Sequence, residues 1–317
     1  MKERLLERTD SARMKALDRM PARGVLPQKE PWYEKNIHWL MLVPAMVILV
    51  GLIVYPFLMS LQYSFSDVDL LGGKTTLKFI GLDNFRRALT RDETLKAAAG
   101  NTVTFVFWTV VLEMLCGLGL ALLLNSNIRG RRILVSFFLI PLVIPPIVIA
   151  LSWKMMYDYG WGVINHLLMV VGLEPVFWLS DPHIALYAII FTDIWHLTPF
   201  VMLIFLAGLQ SLPTEPYEAA EIDGANNWQT FRDITLPLLR PTILVVLLLR
   251  TIDGAKVFDK VFVMTGGGPG TATETLTTHI FRSAFRGLDL GYAAAVSFML
   301  LVVLAILSAI YIRSILR

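Results

Sequence analysis

The chain has 317 residues, of which 56% are hydrophobic and only 17% charged, with a net charge of +3. Soluble domains carry roughly 25% charged residues, so an ordinary cytosolic enzyme is disfavoured, and the net charge is too small to suggest a nucleic-acid binder. The single cysteine, Cys116, lies in an apolar run and cannot form an intramolecular disulfide.

Residues 1–37 form a polar N-terminal segment without an apolar core of signal-peptide length, so no cleavable secretion signal is expected. Residues 38–317 read as one transmembrane domain. Its apolar stretches run over about 38–65, 100–125, 133–155, 184–210, 241–264 and 291–313. Each is long enough to cross about 30 Å of hydrocarbon as a helix. Six crossings place both termini on one side. Sixteen lysines and arginines fall on the side of the termini against eight on the other, which predicts cytoplasmic N- and C-termini. Arg129, Arg131 and Arg132 in one short connection give the cleanest local signal.

Between the first two spans, Gly73-Lys74-Thr75 has the tail of a phosphate-binding loop, but Val68 stands where its first glycine belongs and no strand-to-helix context surrounds it. Pro44 and Pro56 in the first span, Pro141, Pro145 and Pro146 in the third, and Pro199 in the fourth predict bent or broken helices. Membranes tolerate these where neighbours or a cavity satisfy the freed backbone groups. The chain contains no internal repeat, so a two-halves symmetric transporter has no support.

The connection over 211–240 is too long for a simple link. Pro216 suits a first helical turn, Thr214 or Glu215 a cap, and Gly224 a helix end with positive φ. Tyr217, Ala220 and Glu221 share one face of the first helix. A second amphipathic segment, Asn226 to Leu236, carries Trp228, Phe231, Ile234 and Thr235 near one face. The pattern predicts a helix-turn-helix on the cytoplasmic face. Its acids, Glu215, Glu218, Glu221 and Asp223, argue against anionic lipid and for a protein partner.

In the fifth span, Arg250, Asp253, Lys256, Asp259 and Lys260 are too costly to face lipid, at about 2.5–3.5 kcal/mol each at a helix centre. Counted at 100° per residue they share half the circumference and all point into the bundle. Two readings follow: Arg250, Asp253 and Lys256 line a watery solute path, or they form an ion-pair network that fixes packing. Asp193 and His196, at i, i+3 in the fourth span beside Trp195, suit hydroxylated solute. For Trp195 alone packing is the better reading, and His196 lacks the companions of a metal site. Neither a catalytic set nor a metal cluster is apparent.

Glu218-Ala219-Ala220, three residues, Gly224, nine residues, then Ile234-Thr235-Leu236-Pro237 resembles the EAA loop of permease subunits of binding-protein-dependent ABC importers. PAMVILVGLIVYPFLMSLQYSF (44–65), FIGLDNFRRAL (79–89), IPLVIPPIVIALSWKMMYDYGWGVINHLL (140–168), DIWHLTPFVMLIFLAGLQSLP (193–213) and FDKVFVMTGGGPGTATETL (258–276) resemble the carbohydrate group, of maltose and glycerol-phosphate type.

The resemblance implies an all-α fold of six membrane helices with a cytoplasmic coupling helix, the type I importer permease, in a bacterial or archaeal plasma membrane. It implies a second homologous permease, two ATPase subunits and an extracytoplasmic solute-binding protein as partners. ATP and Mg would be bound by the ATPase chains, with no cofactor in this chain, which is a transport subunit and not an enzyme. Glu218, Ala219 and Ala220 would face the ATPase, Gly224 would form the turn, and Ile234, Leu236 and Pro237 complete the motif. TGGGPG (265–270) becomes a structural loop near the docking surface of the binding protein. Asp193, Trp195, His196, Arg250, Asp253, Lys256 and Phe258 are the candidate substrate path. The solute expected is a sugar or sugar-like molecule; glycerol phosphate or a polyol in the same machinery, or a stand-alone secondary transporter, are the alternatives.

Overall fold

The computed structural model describes residues 32–69, 76–126 and 128–315. The polar segment before Trp32 and the Gly73-Lys74-Thr75 tripeptide lie outside the described residues. The chain divides into two compact units, 1–58 and 59–317.

In the first unit, α1 (Trp32–Leu49) continues through a π-helical turn, Val50–Val54, into the start of α2 (Tyr55–Ser64). The helix therefore starts six residues before the apolar boundary drawn at 38. Its side chains, Trp39, Met41, Val47 and Leu52 among them, are exposed, as suits a helix whose solvent is lipid.

In the second unit a short hairpin departs from the all-helical expectation: β1 (Ser66–Asp69) pairs antiparallel with β2 (Thr76–Phe79), Ser66 opposite Phe79. The alternation of Ser66, Asp67, Val68 and Asp69 sends positions 66 and 68 inward and 67 and 69 outward, a two-residue period that a search for long apolar runs overlooks. The short helix α3 (Asp83–Thr90) follows, then α4 (Glu93–Asn125), capped by the Asp92 carboxylate on the Leu95 amide.

The third span is broken. α5 (Arg131–Val143) and α6 (Pro146–Met156) meet at 92° across Ile144-Pro145. Proline at the first position of α6 loses no helical hydrogen bond, while two consecutive prolines deny α5 its continuation. After α7 (Val163–Val170), α8 (Ala185–Gln210) runs unbroken through Pro199. α4 and α8 pack closely enough that a Cβ on Gly117 would sit 2.6 Å from Val201 Cγ1. A small residue at the crossing is what lets two membrane helices bring their backbones together.

The loop elements α9 (Glu215–Ile222), α10 (Asn227–Thr230) and α11 (Leu236–Leu238) lead to α12 (Arg240–Ala255). α13 (Asp259–Met264), α14 (Leu276–Phe281) and α15 (Leu290–Ile315) complete the chain. Among the described residues, four helices are long and apolar enough to cross a membrane, or up to six with each bent pair taken as one span. Two apolar clusters sit at opposite ends of α8: Phe105, Trp153, Ile189 and Val261 near its start, and Leu124, Met202, Phe205 and Leu239 near its end.

Candidate functional site

The first candidate region is the loop after α8. Glu215 and Glu218 in the first turn of α9 oppose the partial positive charge of the helix N-terminus. Thr214 occupies the cap position without a side-chain hydrogen bond. Gly224 ends the helix at φ +73°, and the Ala225 amide donates to the Ala220 carbonyl at 2.9 Å, the left-handed stop that glycine supplies without steric cost. Asn226 Oδ1 then accepts the Trp228 and Gln229 amides while Gln229 Oε1 accepts the Asn226 amide. This reciprocal capping box starts the second helix in a new direction.

The two arms are joined by the Tyr217 and Thr235 hydroxyls at 3.1 Å. Glu218 and Ala219 are exposed, but Ala220 is buried, so only one of the two alanines is free to meet a partner; the other packs against its own chain. Glu221, expected beside Tyr217 and Ala220, is also exposed. Ile234 is half-buried, and Leu236 and Pro237 are exposed in the approach to α12. Two large apolar side chains crown the loop: Ile222 is 87% exposed and Trp228 66%. Ile222 carries no signal of its own in the sequence, being one isoleucine among acids.

The second region lies within the spans. Arg250 on α12 donates through Nε and Nη2 to both carboxylate oxygens of Glu113 on α4, and Nη2 also reaches Asp193 Oδ2 on α8 at 3.0 Å. Lys260 on α13 bonds the other oxygen of Asp193. All four are buried. Two cations and two carboxylates cancel, so the network is neutral while pinning four helices. Glu113 is not among the residues that the sequence singles out. Its signal is a lone acid in the apolar run VVLEMLCGLGL, which a membrane span retains only with a partner.

The five charges of the fifth span do not all point inward. α12 ends at Ala255 and α13 starts at Asp259, so the 100° count loses its register there. Arg250 and Lys260 are buried, Asp259 is half-buried, and the side chains of Asp253 and Lys256 are 54% exposed. Asp253 stays within 3.7 Å of Arg250 Nη1 and 3.9 Å of Lys256 Nζ, linking the buried network to the exposed edge. There a cavity of about 330 Å³ is lined by Pro146, Asp193, Asp253, Lys256, Phe258 and Lys260. The broken third span contributes its proline to the same opening.

Trp195 and His196 do not line this cavity, whereas Phe258 does. Trp195 packs edge-on to Trp153, ring centroids 5.5 Å apart. His196 is buried, and its Nδ1 has no hydrogen-bond partner among the described residues. Phe258 stacks on Phe262 at 5.0 Å. Beyond it, the TGGGPG turn is held by the Thr273 hydroxyl on the Gly268 carbonyl and by Arg282 on the Gly266 carbonyl.

Residues 113–314 match the family model described as the binding-protein-dependent transport system inner membrane component. The trehalose/maltose transport system permease protein of Thermococcus litoralis is 39% identical over 289 residues, covering 91% of this chain and 96% of that protein. The sulfoquinovosyl glycerol transport system permease protein of Agrobacterium fabrum is 37% identical over 291 residues, covering 91% and 94%. Among solved structures, a bacterial ABC transporter involved in the import of the acidic polysaccharide alginate superposes with a TM-score of 0.78 at 24% identity, over 89% of this chain and 96% of that one. That likeness is one of fold.

Proposed function

The chain belongs to the family of binding-protein-dependent transport system inner membrane components, and from that membership we propose that it forms one half of the path of an ATP-driven importer for a sugar or sugar-like solute. The relative named for trehalose and maltose, at 39% identity over nearly its whole length, supports the solute class. A second permease would complete the path, two ATPase chains would bind ATP and Mg, and an extracytoplasmic binding protein would deliver the solute. The termini would lie in the cytoplasm.

The observation that carries the coupling role is the exposed knob of Glu218, Ala219 and Ile222 on the glycine-ended helix α9, with Trp228 beside it on the capped helix α10. An acidic rim around apolar side chains suits a groove on a protein partner. Nucleotide-driven movement of that groove would reach the spans through α11 and α12. On the path side, Asp253 and Lys256 offer a carboxylate and an ammonium to solute hydroxyls at the mouth of the 330 Å³ cavity, with Phe258 as an apolar wall. Asp193 and Lys260 border the same cavity but are already bonded to each other. Arg250 holds Asp193 in place, His196 is buried, and Trp195 packs against Trp153.

The test is uptake of trehalose and maltose into proteoliposomes holding the four-subunit complex with its binding protein. ATP-dependent uptake is expected, and Glu218→Lys should abolish solute-stimulated hydrolysis with insertion unchanged. Uptake by this chain alone on an ion gradient would sink the reading.

A further inference from the structure

A second cavity, of about 490 Å³, lies apart from the charged one. Its walls include Lys154 at the end of α6, Asp158 and Tyr159 in the turn after it, Phe177 and Ser180 ahead of α8, and Thr265 at the start of the glycine-rich turn. Its volume falls in the range of about 300–1,000 Å³ of small-molecule sites. The 26 residues of α8 separate it from the coupling loop, a rise of about 39 Å, so it opens on the opposite face of the membrane, where solute would arrive.

Two features set its chemistry. Tyr159 and Phe177 stack face to face, centroids 3.9 Å apart and planes within 1°, yet both residues remain about half exposed, at 44% and 53%. Each ring covers one face of the other, so the remaining exposure falls on the outer faces and edges. An aromatic face carries negative potential and attracts the polarised C–H bonds of a pyranose. Around the rings sit polar groups with unspent capacity. Lys154 Nζ uses one of its three protons on the Val263 carbonyl. Asp158 Oδ1 takes the Gly160 and Trp161 amides, while its second oxygen is left for another donor. Trp178 is fixed by its indole N–H on Asn165 Oδ1, so the wall is preorganised.

The cavity also connects to the path. It touches Met264, the last residue of α13, and the charged cavity touches Asp259 and Lys260 at the start of that helix. Six helical residues span about 9 Å. We propose that the Tyr159–Phe177 cavity is an entry subsite for a saccharide unit, one helix length ahead of the intramembrane charges. This rests on the sugar reading above. A hydroxylated ring would lie on the exposed aromatic face with its hydroxyls on Lys154 and Asp158, then pass along α13.

The experiment uses the assembled complex in nanodiscs without its binding protein and maltotriose as the probe, followed by saturation-transfer NMR, alongside uptake in proteoliposomes. Y159F and F177Y keep the rings and should behave as wild type. Y159L with F177L should weaken saturation transfer and raise the half-saturating concentration for uptake by about five- to tenfold, with the maximal rate within about twofold. Ser180→Trp, which fills the cavity from its exposed rim and leaves both aromatic side chains in the sequence, should do the same and guards against misfolding of the leucine variant. Wild-type saturation transfer and uptake in both the leucine and Ser180→Trp variants would overturn the subsite and leave the rings as anchors at the bilayer surface. If the wild-type complex neither contacts nor imports trehalose, maltose or maltotriose, the sugar reading itself falls and takes the subsite with it.

Discussion

Along the coupling loop, backbone hydrogen bonds close within five residues, as from Ala225 to Ala220, and one longer bond, Tyr217 to Thr235, ties the arms. The intramembrane charges meet instead across 57, 67 and 137 positions. The loop is exposed and polar, so it pays little to present acids to a partner. The network is buried, where each ion costs several kcal/mol unless matched. The loop's geometry is therefore written in adjacent residues, while the network exists only once four helices have packed. A surface made for a partner and a core made for cohesion place opposite demands on charge.

The largest expected effect sharpens this contrast. Arg250→Leu leaves Glu113 buried without a cation and should lower the unfolding free energy by about 3–5 kcal/mol. In the double variant Glu113→Leu/Arg250→Leu, Asp193 keeps Lys260, and most of that loss should return. Thermal melting of the solubilised protein measures both. If Arg250→Leu melts as wild type, the network is not structural and the division between cohesive core and working edge collapses.

Next comes the loop. Gly224→Val forces a β-branched residue to φ +73°, costing about 1–2 kcal/mol, local to the turn between α9 and α10. Melting should barely move while ATPase association weakens. Gly224→Asn, better tolerated in the left-handed region, should retain more coupling. Equal coupling in both variants would mean the turn angle does not matter.

A smaller stability effect, with a larger effect on transport, is expected at the exposed edge. Asp253→Asn and Lys256→Gln remove charges that are 54% exposed, where such pairs contribute about 0–1 kcal/mol. Complex assembly should persist while solute uptake falls several-fold. Disassembly would instead assign Asp253 and Lys256 to packing, with Arg250.

These contrasts also mark what the sequence discloses. Gly224 and Pro145-Pro146 act through local sterics, and the structure has the positive-φ turn and the broken third span at those residues, whereas Pro44 and Pro199, also expected to bend or break their helices, lie inside continuous ones where the neighbouring turns hold. The bilayer makes apolar length a strong signal for the spans. The inward or outward direction of each charge in the fifth span depends on the break at residues 256–258, which no proline announces. Glu113 needed a partner 137 residues away before its place made sense. The hairpin at Ser66–Phe79 is too short for periodicity to stand out.

A charge outside the spans supplies the finest test of the contrast, because it is neither buried like Glu113 nor free like Glu218. Burial pushes the Asp92 carboxyl upward, but the Tyr292 hydroxyl, the Leu95 and Thr94 amides and nearby His279 outweigh it and hold it below the usual carboxylate range. In the folded protein Asp92 therefore binds its proton at lower pH than in the unfolded chain. Its contribution is complete above the unfolded value near pH 4 and is lost as pH falls through the folded one. Because the Tyr292 bond ties the start of α4 to α15, acid should loosen this clasp first. Melting temperature measured from pH 6 to pH 3 should fall more steeply in wild type than in Asp92→Asn, which has no such proton to gain. Parallel curves would show that the clasp behaves as an exposed pair, and that burial in the bundle, not charge, fixes this end of α4.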